Sequence, residues 1–310
     1  MAKTLSLVLP VFNEQENVPR LYSAIRNTLD KTPLKYEIIF IDDGSKDGSF
    51  PAMVELRKSD SRVKIIKFRK NFGQTAAMMA GFREARGEII VAMDSDLQND
   101  PQDIPRLIAK LDEGYDVVSG WRWKRRDTLS KKLFSLFANK FRRWLTGERI
   151  HDSGCSLKAY RKECFENLQL HGEMHRYIPA LLMWQGFRVG EIKVQHHERK
   201  FGKTKYNMKR VFKGFFDLLF IKFWNDFQTR PIHFFGSLAV IQYVLSGLIF
   251  FEQIIKAFII KQLLLGPLFI VGVLFLITGT LTFLFGFLAE IMTRTYFKDR
   301  QNYIIETKLV

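Results

Sequence analysis

Two stretches near the carboxyl end constrain this chain more than anything else in it. Ile232 to Phe251 is twenty residues without an Asp, Glu, Lys or Arg, and Leu263 to Ala289 is twenty-seven. At about 1.5 Å per residue, each is long enough to cross a hydrocarbon core of roughly 30 Å as a helix. The expected element is a two-helix transmembrane hairpin, 232–255 and 263–290. Glu252, Lys256 and Lys261 fall in or beside the connection, whereas Lys209, Arg210, Lys213, Lys222 and Arg230 precede the hairpin and Arg294, Lys298 and Arg300 follow it. The positive-inside bias then places both termini, and the residues before the hairpin, in the cytoplasm. Met1 to Pro10 has no charged segment followed by a signal-length apolar run, which agrees. Two buried helices of a soluble protein are the rival reading, and these lengths speak against it.

The net charge of +16 has to be read with that hairpin in view. Residues 1–120 carry 17 basic and 18 acidic side chains, residues 121–231 carry 25 and 10, and residues 232–310 carry 6 and 4. Nearly all the excess therefore lies just before the first membrane helix. Anionic lipid or a lipid phosphate is the expected partner, not nucleic acid, which would ask for positive charge spread over the folded domain. Two basic amphipathic stretches fill this region. Ser130 to Leu145 repeats Leu133, Phe134, Phe137, Phe141 and Trp144 among lysines and arginines, and Met208 to Phe227 repeats Phe212, Phe215, Phe216, Leu219 and Phe223. Both fit helices lying in the headgroup layer, with ordinary core-packing faces as the alternative. Cys155 and Cys164 match no zinc or redox spacing and are expected to be reduced.

The first 115 residues alternate short apolar runs with helical patterns. Leu5–Leu9, Glu37–Ile41, Val63–Phe68 and Glu88–Met93 look like buried parallel strands, and Gln15–Leu29, Ser49–Ser59, Gln74–Arg86 and Gln102–Glu113 look like the helices between them. Such a βαβ series builds an α/β sheet whose ligands bind beyond the carboxyl ends of the strands. Three polar groups fall there: Asn13-Glu14, Asp42-Asp43-Gly44-Ser45 and Asp94-Ser95-Asp96. Carboxylates crowded on one rim repel one another unless a cation neutralises them, and oxygen ligands beside a diphosphate suit Mg²⁺ or Mn²⁺. Alone, the Asp-x-Asp triplet fits a helix cap or a solvated turn equally well. Neither a Gly-x-Gly-x-x-Gly fingerprint nor a Walker loop is present.

Leu9-Pro10-Val11-Phe12-Asn13-Glu14, Ile41-Asp42-Asp43-Gly44-Ser45, Asn71-Phe72-Gly73-Gln74 and Asp94-Ser95-Asp96-Leu97-Gln98 together resemble the successive motifs of inverting family 2 glycosyltransferases of the GT-A fold. The run Asp152 to Arg161 and the terminal helix pair resemble the polyprenyl-phosphate branch, which includes dolichol-phosphate mannose synthases and the undecaprenyl-phosphate 4-deoxy-4-formamido-L-arabinose transferase. The similarity spans roughly residues 4 to 300. The Gln-x-x-Arg-Trp motif of the processive synthases is missing, which points to a single transfer.

The resemblance implies a GT-A, Rossmann-like cytosolic domain over 1–206, amphipathic juxtamembrane helices over 207–231 and the hairpin with a cytosolic tail over 232–310. It implies inverting transfer of a sugar from a UDP- or GDP-linked donor to undecaprenyl or dolichyl phosphate at the cytoplasmic face of a bacterial inner membrane. Pro10, Glu14, Asp42 and Asp43 would contact the nucleoside. Asp94 and Asp96 would hold the metal and diphosphate, with Gln98 nearby. Asp152 would stand beside the acceptor, as a base or as a group that orients a neighbouring Arg. Arg122, Lys131, Ser135, Arg199, Lys203 and Lys205 would receive the lipid phosphate. Homo-oligomerisation is a further expectation of the family, for which the chain offers only the seven-residue spacing of Gly272 and Gly279, not a close-packing motif. His196-His197 reads as structural, since neighbouring strand side chains point to opposite faces. A membrane-anchored nucleotidyltransferase and a non-catalytic scaffold on the same fold are the competing functions.

Overall fold

A computed structural model describes residues 4–123, 143, 145–148, 150–166, 168, 170, 172, 174–198, 209–227, 230–260 and 266–297. The chain divides into two compact units, Met1–Leu219 and Phe220–Val310.

The first unit is a seven-stranded mixed sheet between helices. Its strands are β1 (Thr4–Val11), β2 (Lys35–Asp42), β3 (Val63–Lys67), β4 (Ile89–Ala92), β5 (Val117–Arg122), β6 (Lys158–Arg161) and β7 (Val189–Val194). Their order across the sheet is β3-β2-β1-β4-β6-β5-β7. All neighbours are parallel except β6, which runs antiparallel to both β4 and β5. The four expected strands are β1 to β4. The helices between them are α1 (Asn17–Leu29), α2 (Ser49–Ser59) and α3 (Gln74–Glu84), with α4 (Ile104–Asp112) following β4. Continuous apolar runs such as Ile38-Ile39-Phe40-Ile41, all fully buried, place β2 inside a sheet covered on both faces.

Each helix contributes one apolar stripe to that cover. On α1, Val18, Leu21, Tyr22, Ile25 and Leu29 recur at helical spacing and are buried. With α4 they pack on the face carrying Leu7, Phe40, Val91 and Val118. The opposite face, with Val8, Ile39, Ile90 and Tyr160, is covered by α3 and by α5 (Ile178–Trp184). Gly44 takes φ 74° just after β2, and a Cβ there would stand 2.5 Å from the Lys70 carbonyl carbon. Glycine is required at that turn.

After α6 (Lys209–Phe227), the second unit is dominated by α7 (Pro231–Ile260) and α8 (Pro267–Phe297). Both helices are long and apolar enough to cross a membrane, and most of their large side chains, such as Val244, Phe258, Leu274 and Leu288, are exposed. They pack on each other through Gly272, Gly279 and Gly286. A Cβ at these positions would meet Phe250, Tyr243 and Phe235 at 3.0, 3.1 and 2.9 Å. The seven-residue spacing thus marks a close-packed seam inside the hairpin, which a search for the shorter Gly-x-x-x-Gly motif passes over. Ser246 Oγ donates to the Gly272 carbonyl at 2.8 Å across it.

Candidate functional site

Parallel register brings the strand ends to one rim. Val11 pairs with Asp42 and Val8 with Ala92, so the segments that follow β1, β2 and β4 start side by side. The Asp43 N–H donates to the Val11 carbonyl at 2.8 Å, and Ser95 Oγ donates to the Pro10 carbonyl at 2.8 Å. Asn13 adopts φ 55°, a conformation Asn tolerates, and its Oδ1 accepts from the Lys46 N–H at 2.9 Å. Pro10, Glu14, Asp42, Asp43, Asp94, Asp96 and Gln98 therefore belong to one edge of the sheet.

Neutral donors reach Asp42, Asp43 and Asp94 on this edge. Asp42 is fully buried; Oδ1 accepts from the Ser45 N–H at 2.8 Å, and Oδ2 has no hydrogen-bond partner among the described residues. Asp43 accepts from the Phe72 N–H at 2.7 Å and the Gly73 N–H at 3.0 Å, fixing the Asn71-Phe72-Gly73 turn. Burial nevertheless pushes the Asp43 carboxyl up. Glu14 is buried and accepts from Asn17 Nδ2 at 2.6 Å. Asp94 accepts from Gln74 Nε2 at 2.6 Å, and its N–H donates to Ser156 Oγ at 3.3 Å. Asp96, also buried, accepts from the Gln98 N–H at 3.2 Å through a turn in which Leu97 takes φ 60°. Desolvation first, and the Asp96 charge second, push the Asp94 carboxyl above the usual range, while Lys158 and Arg122 pull the other way.

Two adjacent carboxylates whose charges oppose each other are a fitting pair for a divalent cation. Mg²⁺ and Mn²⁺ take one or two protein carboxylates and complete their shell with phosphate oxygens and water.

The segment 151–157, between β5 and β6, faces the Asp94 turn. Ser156 Oγ accepts from both the Asp94 N–H and Asn99 Nδ2, tying the two together. Arg122, the last residue of β5, grips Asp152 in a two-pronged pair, Nε to Oδ2 at 2.7 Å and Nη2 to Oδ1 at 2.9 Å. Burial alone would raise the Asp152 carboxyl, but the Arg122 guanidinium outweighs it and holds the group below the usual range. A fork of this kind fixes geometry as well as charge. Lys158 is buried at 3% exposure beneath the segment and donates to the carbonyls of Ser153, at 3.2 Å, and Cys155. Burial pulls its ammonium down, against the charges of Asp152 and Asp94.

Lys131, Ser135, Arg199, Lys203 and Lys205, expected on the acceptor side, lie outside the described residues, as does most of Ser130–Leu145. His197 donates its N–H to the Gln98 carbonyl at 2.8 Å, and its Nε2 lies 3.1 Å from Asp100 Oδ2. His197 thus lies against the edge next to the Asp94 turn. Cys155 and Cys164 are buried free thiols, both pushed up by burial, to about 11 and about 12. Gln74, Ser156, Lys158 and Glu191 carry roles that the sequence motifs did not assign, although the first three sit inside motifs quoted above.

Known proteins agree with this architecture. The family model described as Glycosyl transferase family 2 matches residues 6–169. Dodecaprenyl-phosphate galacturonate synthase of Rhizobium johnstonii is 40% identical over 97% of this chain and 91% of its own length. Undecaprenyl-phosphate 4-deoxy-4-formamido-L-arabinose transferase of Salmonella choleraesuis is 35% identical over 98% and 93%. Glucosyl-3-phosphoglycerate synthase of Mycobacterium tuberculosis, solved with Mn²⁺ and uridine-diphosphate-glucose, superposes with a TM-score of 0.56 at 17% identity, covering 71% of this chain and 79% of that one. That structural likeness bears on the fold, whereas the family match and the two near-full-length relatives place the chain by sequence: it belongs to glycosyl transferase family 2.

Proposed function

We propose that this protein transfers a sugar, with inversion, from a UDP- or GDP-linked donor to a polyprenyl phosphate at the cytoplasmic face of a membrane, releasing the nucleoside diphosphate. The observation that carries the reading is the meeting of two unlike charge sites on one rim. The pair Asp94 and Asp96, in which the second charge helps raise the first carboxyl, stands next to the Arg122–Asp152 ion pair, in a segment tied to it through Ser156. The first suits a diphosphate with its cation and the second a phosphate monoester. The names of the two relatives, both polyprenyl-phosphate sugar transferases, support the same acceptor class.

Pro10, Glu14, Asp42 and Asp43 would line the nucleoside end, with Gln98 beside the diphosphate. A Mg²⁺ or Mn²⁺ held by Asp94 and Asp96 would neutralise charge on the leaving diphosphate. The acceptor needs little activation. A phosphate monoester has a second pKa near 6, so at neutral pH its oxygen already carries the charge required for attack on the anomeric carbon. Asp152 is therefore assigned to hold Arg122 rather than to take a proton. Both its oxygens are engaged by the guanidinium, whose remaining N–H groups are available to a phosphate oxygen. Lys131, Ser135, Arg199, Lys203 and Lys205 are assigned to the same phosphate by sequence. We further assign 1–206 to catalysis, 207–231 to the headgroup layer, and 232–310 to the membrane, with both termini cytoplasmic and the protein forming homo-oligomers.

The test is nucleoside diphosphate release by the full-length enzyme from a panel of UDP- and GDP-sugars, UDP-galacturonate included, with and without undecaprenyl phosphate. The expected result is acceptor-dependent release with formation of a lipid-linked sugar. No acceptor-dependent turnover with any donor would favour the scaffold, and pyrophosphate release from a nucleoside triphosphate supplied with a sugar 1-phosphate would favour the nucleotidyltransferase.

A further inference from the structure

We propose that Glu191, on β7, is a positioning residue that sets the place of Asp152 and through it the Arg122 guanidinium. The proposal rests on the reading above, in which Arg122 and Asp152 receive the acceptor phosphate. One carboxylate makes all the contacts. Oε1 accepts from the His151 N–H at 2.9 Å and from the Asp152 N–H at 3.1 Å, and Oε2 lies 2.7 Å from His151 Nδ1. An ionised carboxylate only accepts, so Nδ1 carries the proton in that contact. The Glu191 side chain is 12% exposed, and 39 to 40 residues separate it from the groups it binds.

The geometry is a clamp from two sides. In the parallel register of β5 with β7, Ser119 pairs with Glu191 and Trp121 with Lys193. Strand alternation therefore puts Trp121, Glu191 and Lys193 on one face and Arg122 on the other. From the first face, Glu191 holds the backbone of residues 151 and 152, and the His151 ring stacks on Trp121 with centroids 4.3 Å apart and planes at 14°. Lys193 Nζ lies 3.7 Å from the Trp123 ring centroid and 5.4 Å from that of Trp121, bracing the same aromatic pair. From the opposite face, Arg122 holds the Asp152 carboxylate. Asp152 is thus fixed at both its main chain and its side chain, and only Glu191 reaches the main chain of both residues among the described side chains.

Misplacing a reacting group by about 1 Å can cost on the order of a hundredfold in rate. Glu191→Gln keeps the shape and one accepting oxygen but removes the charge and puts an NH₂ on the Oε2 side that now meets the His151 ring, so the clamp weakens. In the full-length enzyme this variant is expected to lose kcat about ten- to a hundredfold, with donor KM and metal-dependent nucleotide-sugar binding changed less than about twofold. Glu191→Asp, which keeps the charge, should recover part of the loss. In an Asp152→Asn background, adding Glu191→Gln should cost less than about twofold more, because the residue it positions is already disabled. Unchanged kcat in Glu191→Gln, equal losses in the two backgrounds, or loss of donor binding together with turnover would each overturn the proposal. The last outcome would make Glu191 a general support of the fold. A wild type without acceptor-dependent transfer would remove the underlying reading first, before any variant is made.

Discussion

The two halves of the sheet's carboxyl rim treat their carboxylates in opposite ways. Around β1, β2 and β4, Asp42, Asp43, Asp94 and Asp96 accept from the N–H groups of Ser45, Phe72, Gly73 and Gln98 and from the Gln74 amide. Around β5, β6 and β7, Asp152 accepts from a guanidinium, and a buried ammonium, Lys158, lies under the same segment. Both halves are buried, so desolvation pushes carboxyl pKa values up in each. It prevails at Asp43 and Asp94 and is overcome at Asp152. Neutral donors orient a carboxylate without cancelling its charge, so the raised Asp94 carboxyl suits a cation. The second half is balanced before a substrate arrives and can offer positive charge to a phosphate.

The sharpest way to break this comparison is to remove charge from the first half. Asp94→Asn and Asp96→Asn should each lower transfer at least about a hundredfold and abolish its dependence on Mg²⁺ or Mn²⁺, since several kcal/mol of charge stabilisation at the leaving diphosphate is lost. Steady-state transfer across a metal titration, with excess chelator as the zero point, is the measurement. Full wild-type activity in chelator would leave the Asp94–Asp96 pair without its assigned task.

On the balanced half, Asp152→Asn should lower kcat by about thirty- to a hundredfold while donor KM stays within about twofold, because a misplaced Arg122 affects only the acceptor. Its pH profile carries the finer test. The Asp152 carboxyl is held below the usual range, so it stays ionised throughout the neutral region and cannot produce an acid limb near pH 6. That limb belongs to the acceptor phosphate and should survive in the variant. An acid limb that disappears with Asp152 would restore it as a base.

A smaller effect is expected from making one half resemble the other. Gln74→Lys would place an ammonium where Nε2 now meets Asp94 at 2.6 Å. A cation at that distance competes with the metal, so half-maximal activity should require about tenfold more Mg²⁺, with kcat largely recovered at saturation. An unchanged metal titration would mean that Asp94 is not a ligand.

How far these halves could be read from the sequence differs for physical reasons. The first half was legible because its strands are long apolar runs and its carboxylates follow them directly: the expected Leu5–Leu9 and Glu37–Ile41 lie inside β1 and β2. The second half was assigned no strands. β6 is four residues, Lys-Ala-Tyr-Arg, whose buried members include a lysine, and β5 and β7 contain Gly120 and Gly190 where a Cβ would meet Val194 at 2.9 Å and Tyr115 at 2.9 Å. Close packing of that kind suppresses the β-branched alternation that marks a strand. Asp152 and Arg122 were found by motif, but their pairing was not, because 30 residues separate them. Glu191 left no signal at all. Its significance comes from the β5–β7 register, which the sequence alone does not fix.

The smallest expected effect belongs to a carboxylate–cation pair far from the rim, which tests whether pairing there matters for chemistry or only for stability. Asp60, following α2, takes the Arg62 guanidinium at 2.9 Å and the Tyr22 hydroxyl at 2.8 Å, and Arg62 also reaches Asp30 at 2.8 Å. The hydrogen bonds from Arg62 outweigh burial and hold the Asp60 carboxyl down at about 2. A carboxyl depressed in the folded state adds stability that is present above its ordinary pKa and is lost as the pH falls through the folded value. Arg62 is about a third exposed, so solvent screening reduces the contribution to about 1 kcal/mol. Asp60→Asn should therefore lower the melting temperature of the full-length protein by about 2–4 °C at pH 7 and leave kcat and both KM values unchanged. The gap to wild type should narrow as the pH drops below about 4. A loss of turnover without loss of stability would mean that charge pairing near α2 reaches the donor half, and the division of labour between pairs that build the fold and carboxylates left open for chemistry would not hold.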